Sequence, residues 1–324
     1  MTLKRPNEFP AFCALSARLG QDPLRVQGPG GNTSIKDGSV MWIKASGTEL
    51  ADAEAAEIFL PVDRVRALAE AKGSAGDGSC KDTVLDPDTV LRPSIETTFH
   101  AALEWPVVAH THSIATLVHA VSPEGRVAAK EKLKGLPAVG VPYAKPGLPL
   151  TRQILARAVP ETRVFVLENH GLIVCGGDVA ETAELMDEVE RRLTMPERPV
   201  ERTVPDQPPP EGFIWAEESW IARDDVAASL AGTGSYYPDH VVFLGPALPT
   251  QDSDLAPPAI LHLGQGVALR TSATPSQKAM LRCLSDLLLR LPQAWVPEPI
   301  GPEAEADLLN WDAEKYRQAL AERQ

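Results

Sequence analysis

Apolar positions recur along this chain at two spacings, and their alternation outlines its elements. Between Glu8 and Leu19 they fall at Phe9, Phe12, Leu15 and Leu19, the spacing of a helix with one buried face. A glycine-rich turn, "QGPGGNTS", follows, and the β-rich "SVMWIKAS" after the Asp37-Gly38 turn predicts a strand. Val62, Val65 and Leu68, with a start signal at Pro61, predict a short helix over 61–72, and "GSAGDGSC" beyond it reads as a surface loop. From Arg92 the two spacings alternate. Helices are predicted at 94–103, 114–121, around 151–158 and at 178–193, with strands at 107–109, near 139–141, at 164–167 and at 172–174. That order predicts an α/β layered domain whose mixed sheet is covered by helices.

After Pro196 the run "PERPVERTVPDQPPPEG" cannot be regular helix or central strand, because proline fixes φ and removes a donor. Beyond it the pattern predicts a helix near 217–230, short strands at 241–244 and on both sides of the Gly264-Gln265-Gly266 turn, a helix at 276–291, and a last acidic helix with Leu308, Leu309 and Trp311. The chain therefore divides into a domain over 1–195, a proline-rich linker over 196–212, and a C-terminal α+β extension over 213–324 whose role the sequence does not show. At 324 residues with 44% apolar content, one large or two ordinary soluble domains are expected.

Charge and cysteines narrow the function classes. A formal net charge of −13, spread along the chain, works against binding nucleic acid or an anionic membrane, so the expected partners are small molecules or other subunits. Cys13, Cys80, Cys175 and Cys283 are far apart with no CxxC spacing, and read as reduced thiols in a cytoplasmic protein. "MTLKRPNEFPAF" lacks the apolar run of a signal peptide, and no segment approaches 18 uninterrupted apolar residues.

In "AHTHS", His110 and His112 stand one residue apart where a strand gives way to a helix. On extended backbone both point to one side, so they are either ordinary polar residues at a strand end or two metal ligands in need of partners. His170 in "LENHGLIVCG" is the third candidate, beside a glycine that permits close approach, and three imidazoles with an open fourth position describe a catalytic divalent site. Spacing alone does not bring His170 to the pair. Glu96 shares a helical face with His100 and is either a solvated first-turn glutamate or a base or ligand beside the metal. His119 reads as a core or surface histidine, and His240 and His262 belong to no cluster. Gly28, Gly30 and Gly31 before Asn32-Thr33-Ser34, together with Lys44, Ser46, Gly47 and Thr48 in "KASGTE" and the helix start Arg92-Pro93-Ser94, suit an anion such as a phosphate or carboxylate, although plain turns would also explain the glycines.

Taken in order, "GPGGNTS", "MWIKASGTEL", "RPSIETTFHAAL", "VVAHTHS" and "LENHGLIVCG" resemble the class II aldolase/adducin family over about Pro10 to Leu193. The resemblance implies a three-layer α/β/α sandwich, a homo-oligomer that is usually a tetramer, and a divalent metal, typically Zn2+, held by His110, His112 and His170. It also implies Glu96 as the catalytic acid/base, Gly31, Asn32, Ser46, Gly47 and Ser94 as the residues that hold substrate phosphate, and Tyr143 as a proton donor to a neighbouring subunit. Ile95 stands where some phosphate-using members have a second serine. "YYPDHVVFLG" and "SQKAMLRCLSDLLLRLP" are similar to the aldolase half of bifunctional aldolase/short-chain dehydrogenase proteins. The expected activity is a metal-dependent lyase acting through an enediolate on a small hydroxy-carbonyl or sugar-related compound. An epimerase or decarboxylase on the same site, or a non-catalytic interaction module, is the alternative.

Overall fold

The computed structural model describes residues 3–253 and 256–322, so the outermost residues of both predicted domains lie outside the described part. Seven strands form the central sheet: β1 (Asn32–Asp37), β2 (Val40–Lys44), β3 (Phe59–Asp63), β4 (Val107–Thr111), β5 (Ala138–Val141), β6 (Val164–Leu167) and β7 (Gly171–Gly176). Their order is β3-β2-β1-β4-β7-β6-β5, with β5 and β6 parallel and every other pair antiparallel. The sheet is mixed, as expected.

The two-residue period of the strands sorts their side chains between two cores. Ile35, Trp42, Val107 and Ala109 face the layer of α1 (Phe9–Gln21) and α7 (Val179–Leu193). On the other face Met41 and Ile43 meet α2 (Arg64–Ala71), and Val108 meets α3 (Thr97–Ala102) and α6 (Leu148–Leu155). The result is a three-layer α/β/α sandwich. Between β4 and β5 lie α4 (Ile114–Ala120), capped by the Ser113 hydroxyl, and α5 (Pro123–Lys132).

The C-terminal extension carries a three-stranded sheet, β8 (Phe213–Trp215), β9 (Ala259–His262) and β10 (Gly266–Arg270), in the order β8-β10-β9. Its helices are α8 (Asp225–Ala231), α9 (Pro238–Leu244), α10 (Pro275–Arg290), α11 (Pro302–Leu309) and α12 (Asp312–Ala321). Ile114, Leu117, Val118 and Val121, on and just after α4, are buried in one cluster with Tyr236, Tyr237, Phe243, Leu284 and Leu288. Each such side chain contributes about 1.5–3 kcal/mol of transfer free energy, so this shared core ties the extension firmly to the sandwich.

Several local expectations are corrected. Residues 241–244 are helical: Pro238 supplies the fixed φ of a first helical turn, Gly245 ends it at φ +92°, and all seven residues of α9 are buried. β-branched content misled there because burial on every side looks like a core strand. Asn32-Thr33-Ser34 begin β1 rather than closing the glycine turn, and Phe59–Asp63 is a strand, the helix starting only at Arg64 under the Asp63 cap. α5 was not predicted, the stretch over 217–230 is a 3-10 helix (Glu217–Arg223) followed by α8, and the last acidic helix is two, broken at Asn310 and Trp311.

Candidate active site and metal centre

The site lies where β4 ends. His110 is held in the ladder between Asn32 of β1 and Ile173 of β7, and its Nδ1–H donates to the Leu172 carbonyl at 2.9 Å. Its Nε2 is thereby left as a buried lone pair with no hydrogen-bond partner. His112 follows the strand on the same side, the two ring centroids 5.0 Å apart. His170 arrives from the β6–β7 turn, where Asn169 sits at φ +50° and donates through Nδ2 to the carbonyls of Tyr236 and Glu298 in the extension. Gly171 makes the approach possible, because a Cβ there would lie 2.3 Å from the Thr111 carbonyl oxygen. The structure therefore brings His170 onto the pair: one nitrogen of each imidazole lies within 4.8 Å of the others, and all three rings are buried.

Glu96 stands at the N-terminal boundary of α3, its side chain making no cap hydrogen bond, and is 3% exposed. One carboxylate oxygen lies 3.4 Å from His110 Nε2 and the other 3.5 Å from His170 Nε2. Its orientation comes from a relay that the sequence did not reveal. Asn32 Nδ2 donates to Glu96 at 2.8 Å, so Asn32 Oδ1 must accept, and His100 Nε2–H donates to it at 2.5 Å. His100 Nδ1 then accepts from the Ser34 hydroxyl at 2.7 Å. Burial opposes the charge of Glu96, but its polar surroundings, with the Asn32 amide donating to it, leave the carboxyl below its ordinary value. Burial also keeps His110 and His170 neutral, pulling His170 down to about 3.

These residues fit a divalent cation. The His110 Nε2 and Glu96 Oε1 atoms are buried without hydrogen-bond partners, and no cationic side chain bonds Glu96 among the described residues. Neutral imidazole lone pairs and a carboxylate left facing one another are the donor set a divalent metal satisfies.

Gly31, Asn32, Ser46, Gly47 and Ser94 line one cavity with Glu96, His112 and His170. It encloses about 30 Å³, room for about two water molecules. Lys44 also lines it, donating to the carbonyls of Pro29 and Gly31 at 2.8 and 3.0 Å, with its pKa lowered by burial to about 7. Asn32, which also lines the cavity, uses its amide on Glu96 and His100. Tyr143 lies apart. It follows the edge strand β5, its hydroxyl is buried without a partner, burial raises its pKa, and it does not line the cavity of its own chain.

The extension supplies walls that sequence reasoning missed. Asp239 of α9 and Glu314 and Arg317 of α12 line the same cavity, and the Leu320 side chain fills the space beside Gly47, 2.3 Å from where a Cβ would stand. Tyr316 lies under the Arg92 guanidinium at 4.0 Å. The available signal was Asp239 and His240 inside the mainly apolar "YYPDHVVFLG"; Glu314 and Arg317 read as an ordinary solvated i, i+3 pair.

Comparison with known proteins places this geometry. Residues 11–195 match the Class II Aldolase and Adducin N-terminal domain. The chain is 32% identical over 173 residues to an uncharacterized oxidoreductase, YuxG, of Bacillus subtilis, a match covering 49% of this chain and 25% of that protein. A shorter match, 42% over 50 residues, covers 15% of this chain and 24% of the 3-oxo-tetronate 4-phosphate decarboxylase of Escherichia coli K12. The chain thus spans about a quarter of the length of the curated relatives it matches. Among solved structures, the N-terminal class II aldolase domain of a conserved protein from Thermoplasma acidophilum aligns with a TM-score of 0.52 at 25% identity, over 60% of this chain and 95% of that one. The matched span holds the whole seven-stranded sheet, the three histidines and Glu96, and on that ground the chain belongs to the class II aldolase and adducin N-terminal domain family.

Proposed function

We propose that this protein is a metal-dependent carbon–carbon lyase that cleaves or forms an aldol bond in a small hydroxy-carbonyl or sugar-related substrate through an enediolate. The observation that carries the reading is the convergence of three buried imidazoles with Glu96. His110, His112 and His170 would hold the metal, and an all-imidazole donor set favours Zn2+. When bound, such an ion supplies positive charge that stabilises a developing oxyanion. Glu96, aimed by Asn32, moves the proton as general acid/base. Gly31, Ser46, Gly47 and Ser94 bind the polar end of the substrate, and Ile95 and Leu320 crowd that end, which supports a compact substrate. Tyr143, just past the edge strand and away from its own cavity, serves as proton donor to a neighbouring copy in a homo-oligomer, which requires that its hydroxyl, buried in the single chain, be uncovered on assembly.

Residues 1–195 form the metal-binding domain in this reading, 196–212 its linker, and 213–324 an extension that walls the site. No described helix is long and apolar enough to cross a membrane. A decarboxylase on the same site is the second reading, favoured by the short match to an enzyme of that name. It shares the need to stabilise an enolate.

Elemental analysis of the purified protein and of His110→Ala and His170→Ala variants tests the reading. About one divalent metal per chain in the parent, lost from both folded variants, is expected, as is a higher parent Tm with saturating zinc. A substrate panel then separates aldehyde release from isomerisation and from carbon dioxide loss. A parent that takes up no metal after reconstitution would sink the proposal and leave the interaction-module alternative.

A further inference from the structure

One buried charge cluster beside the histidines has no part in the chemistry above. Asp239, 1% exposed, lies in the first turn of α9, and its Oδ2 is 3.3 Å from Nδ1 of His112. Arg317 of α12 grips the same carboxylate with both nitrogens of its fork, Nη1 to Oδ1 at 2.8 Å and Nη2 to Oδ2 at 3.1 Å. The Nη1 group also donates to Glu314 at 2.8 Å, and the guanidinium lies over the Phe243 ring at 5.5 Å. A bidentate, charge-assisted pair of this kind fixes an aspartate in direction as well as in place.

We propose that Asp239 is the positioning residue for His112, and that the C-terminal extension is in this way a part of the metal centre. This rests on the metal role proposed above for the three histidines. Asp239 Oδ2 faces the otherwise unpartnered Nδ1 of His112 at 3.3 Å, placed to accept its N–H once the ring is fixed by a metal, which would select the tautomer and leave Nε2 as the free lone pair. His110 is held by the same logic, its Nδ1–H spent on the Leu172 carbonyl. The strand ladder provides that acceptor for His110, but His112 lies beyond the end of β4, so its acceptor comes from a different part of the chain.

Gly30 is an independent sign that the contact is built in. A Cβ at that position would stand 2.9 Å from His112 Nδ1, 3.0 Å from Asp239 Oδ2 and 3.0 Å from the Gln27 carbonyl oxygen. The second glycine of "GPGG" thus has a reason apart from anion binding: it clears the space in which the imidazole and carboxylate meet. The arrangement also gives the buried Asp–Arg–Glu cluster a role beyond walling the cavity. Buried ion pairs are weak sources of net stability, but they fix orientation well.

The test uses the full chain, with Co2+ and Zn2+ as probes. Asp239→Asn keeps the shape and removes the charge. Relative to the parent it is expected to bind both ions about 10–100-fold more weakly and to shift the visible absorption bands of bound Co2+, with an unchanged circular dichroism spectrum. Arg317→Lys, which loses the fork but keeps the charge, is expected to move both readouts in the same direction by less. Unaltered affinity and Co2+ spectrum in a folded Asp239→Asn would overturn the proposal. If that variant does not fold, a zinc-loaded crystal structure of the parent decides: zinc on Nε2 with Asp239 on Nδ1 supports it, and zinc on Nδ1 overturns it. A parent that binds neither ion would instead defeat the metal reading itself, a result distinct from metal bound without help from Asp239.

Discussion

Replacing His100 is the sharpest test of the relay behind Glu96. The ring is fully buried, stacked on Phe99 at a centroid distance of 4.5 Å, and holds Ser34 Oγ at 2.7 Å and Asn32 Oδ1 at 2.5 Å. His100→Leu fills similar space but leaves both oxygens without a partner. Each buried unsatisfied group costs about 1–3 kcal/mol, and the added apolar burial offsets about 1–2 kcal/mol of the sum, so a net loss of about 1–4 kcal/mol is expected at pH 7.5. Acid changes this difference in a definite direction. Burial holds the His100 pKa well below 6.5 in the native state, so the unfolded chain binds the extra proton first. Stability contributed by neutral His100 is therefore present above the unfolded pKa and is lost as pH falls below it, by up to about 1.4 kcal/mol per unit. The leucine variant lacks that loss, and its deficit should narrow at pH 5. Urea unfolding at both pH values measures this. A deficit below about 0.5 kcal/mol at pH 7.5, or one that stays constant between the two, would refute the relay.

Two further perturbations probe other parts of the fold. Gly171→Ala would push a Cβ to 2.3 Å from the Thr111 carbonyl and 3.3 Å from His112 Cα, forcing β4 and β7 apart; thermal unfolding should show a loss of about 2–4 kcal/mol, and an unchanged Tm would contradict the packing. Burial raises the Glu190 carboxyl to about 7, so the native state holds a proton that the unfolded chain releases near 4.5, and the stability this gives is lost as pH rises from there through about 7. Glu190→Gln should therefore be more stable than the parent at pH 8, on the order of 1–2 kcal/mol, with little difference at pH 4.5. Equal gains at both values would rule out the charge as the cause.

What the sequence disclosed follows the range of the forces involved. Helical spacing at Phe9, Phe12, Leu15 and Leu19 and the strand ends that carry His110 and His170 are local patterns, and the structure has elements at those places. Residues 238–244 misled because a helix buried on all sides carries no polar face, so periodicity had nothing to detect. The site was legible as far as the family motifs extend. Asn32 and Glu96 were each found, but not the bond between them, since a contact across 64 residues of sequence leaves no spacing to read. Asp239, Glu314 and Arg317 were missed for a related reason: charged residues normally signal a solvated surface, and only tertiary packing shows these three buried.

The docking of Leu320 against Gly47 has a consequence for how this protein is made. Both walls of the cavity must exist before it can close, and one of them belongs to α12, the last helix of the described chain. A ribosome emits the three histidines long before Arg317 and Leu320, so a sandwich formed during synthesis would present its donors to water and to any cation in the surroundings until that helix emerges. Closing so long a loop slows assembly more than it weakens the finished state. Capture of a metal during translation would then be a different kinetic problem from exchange in the finished protein, where an ion would have to pass a packed helix.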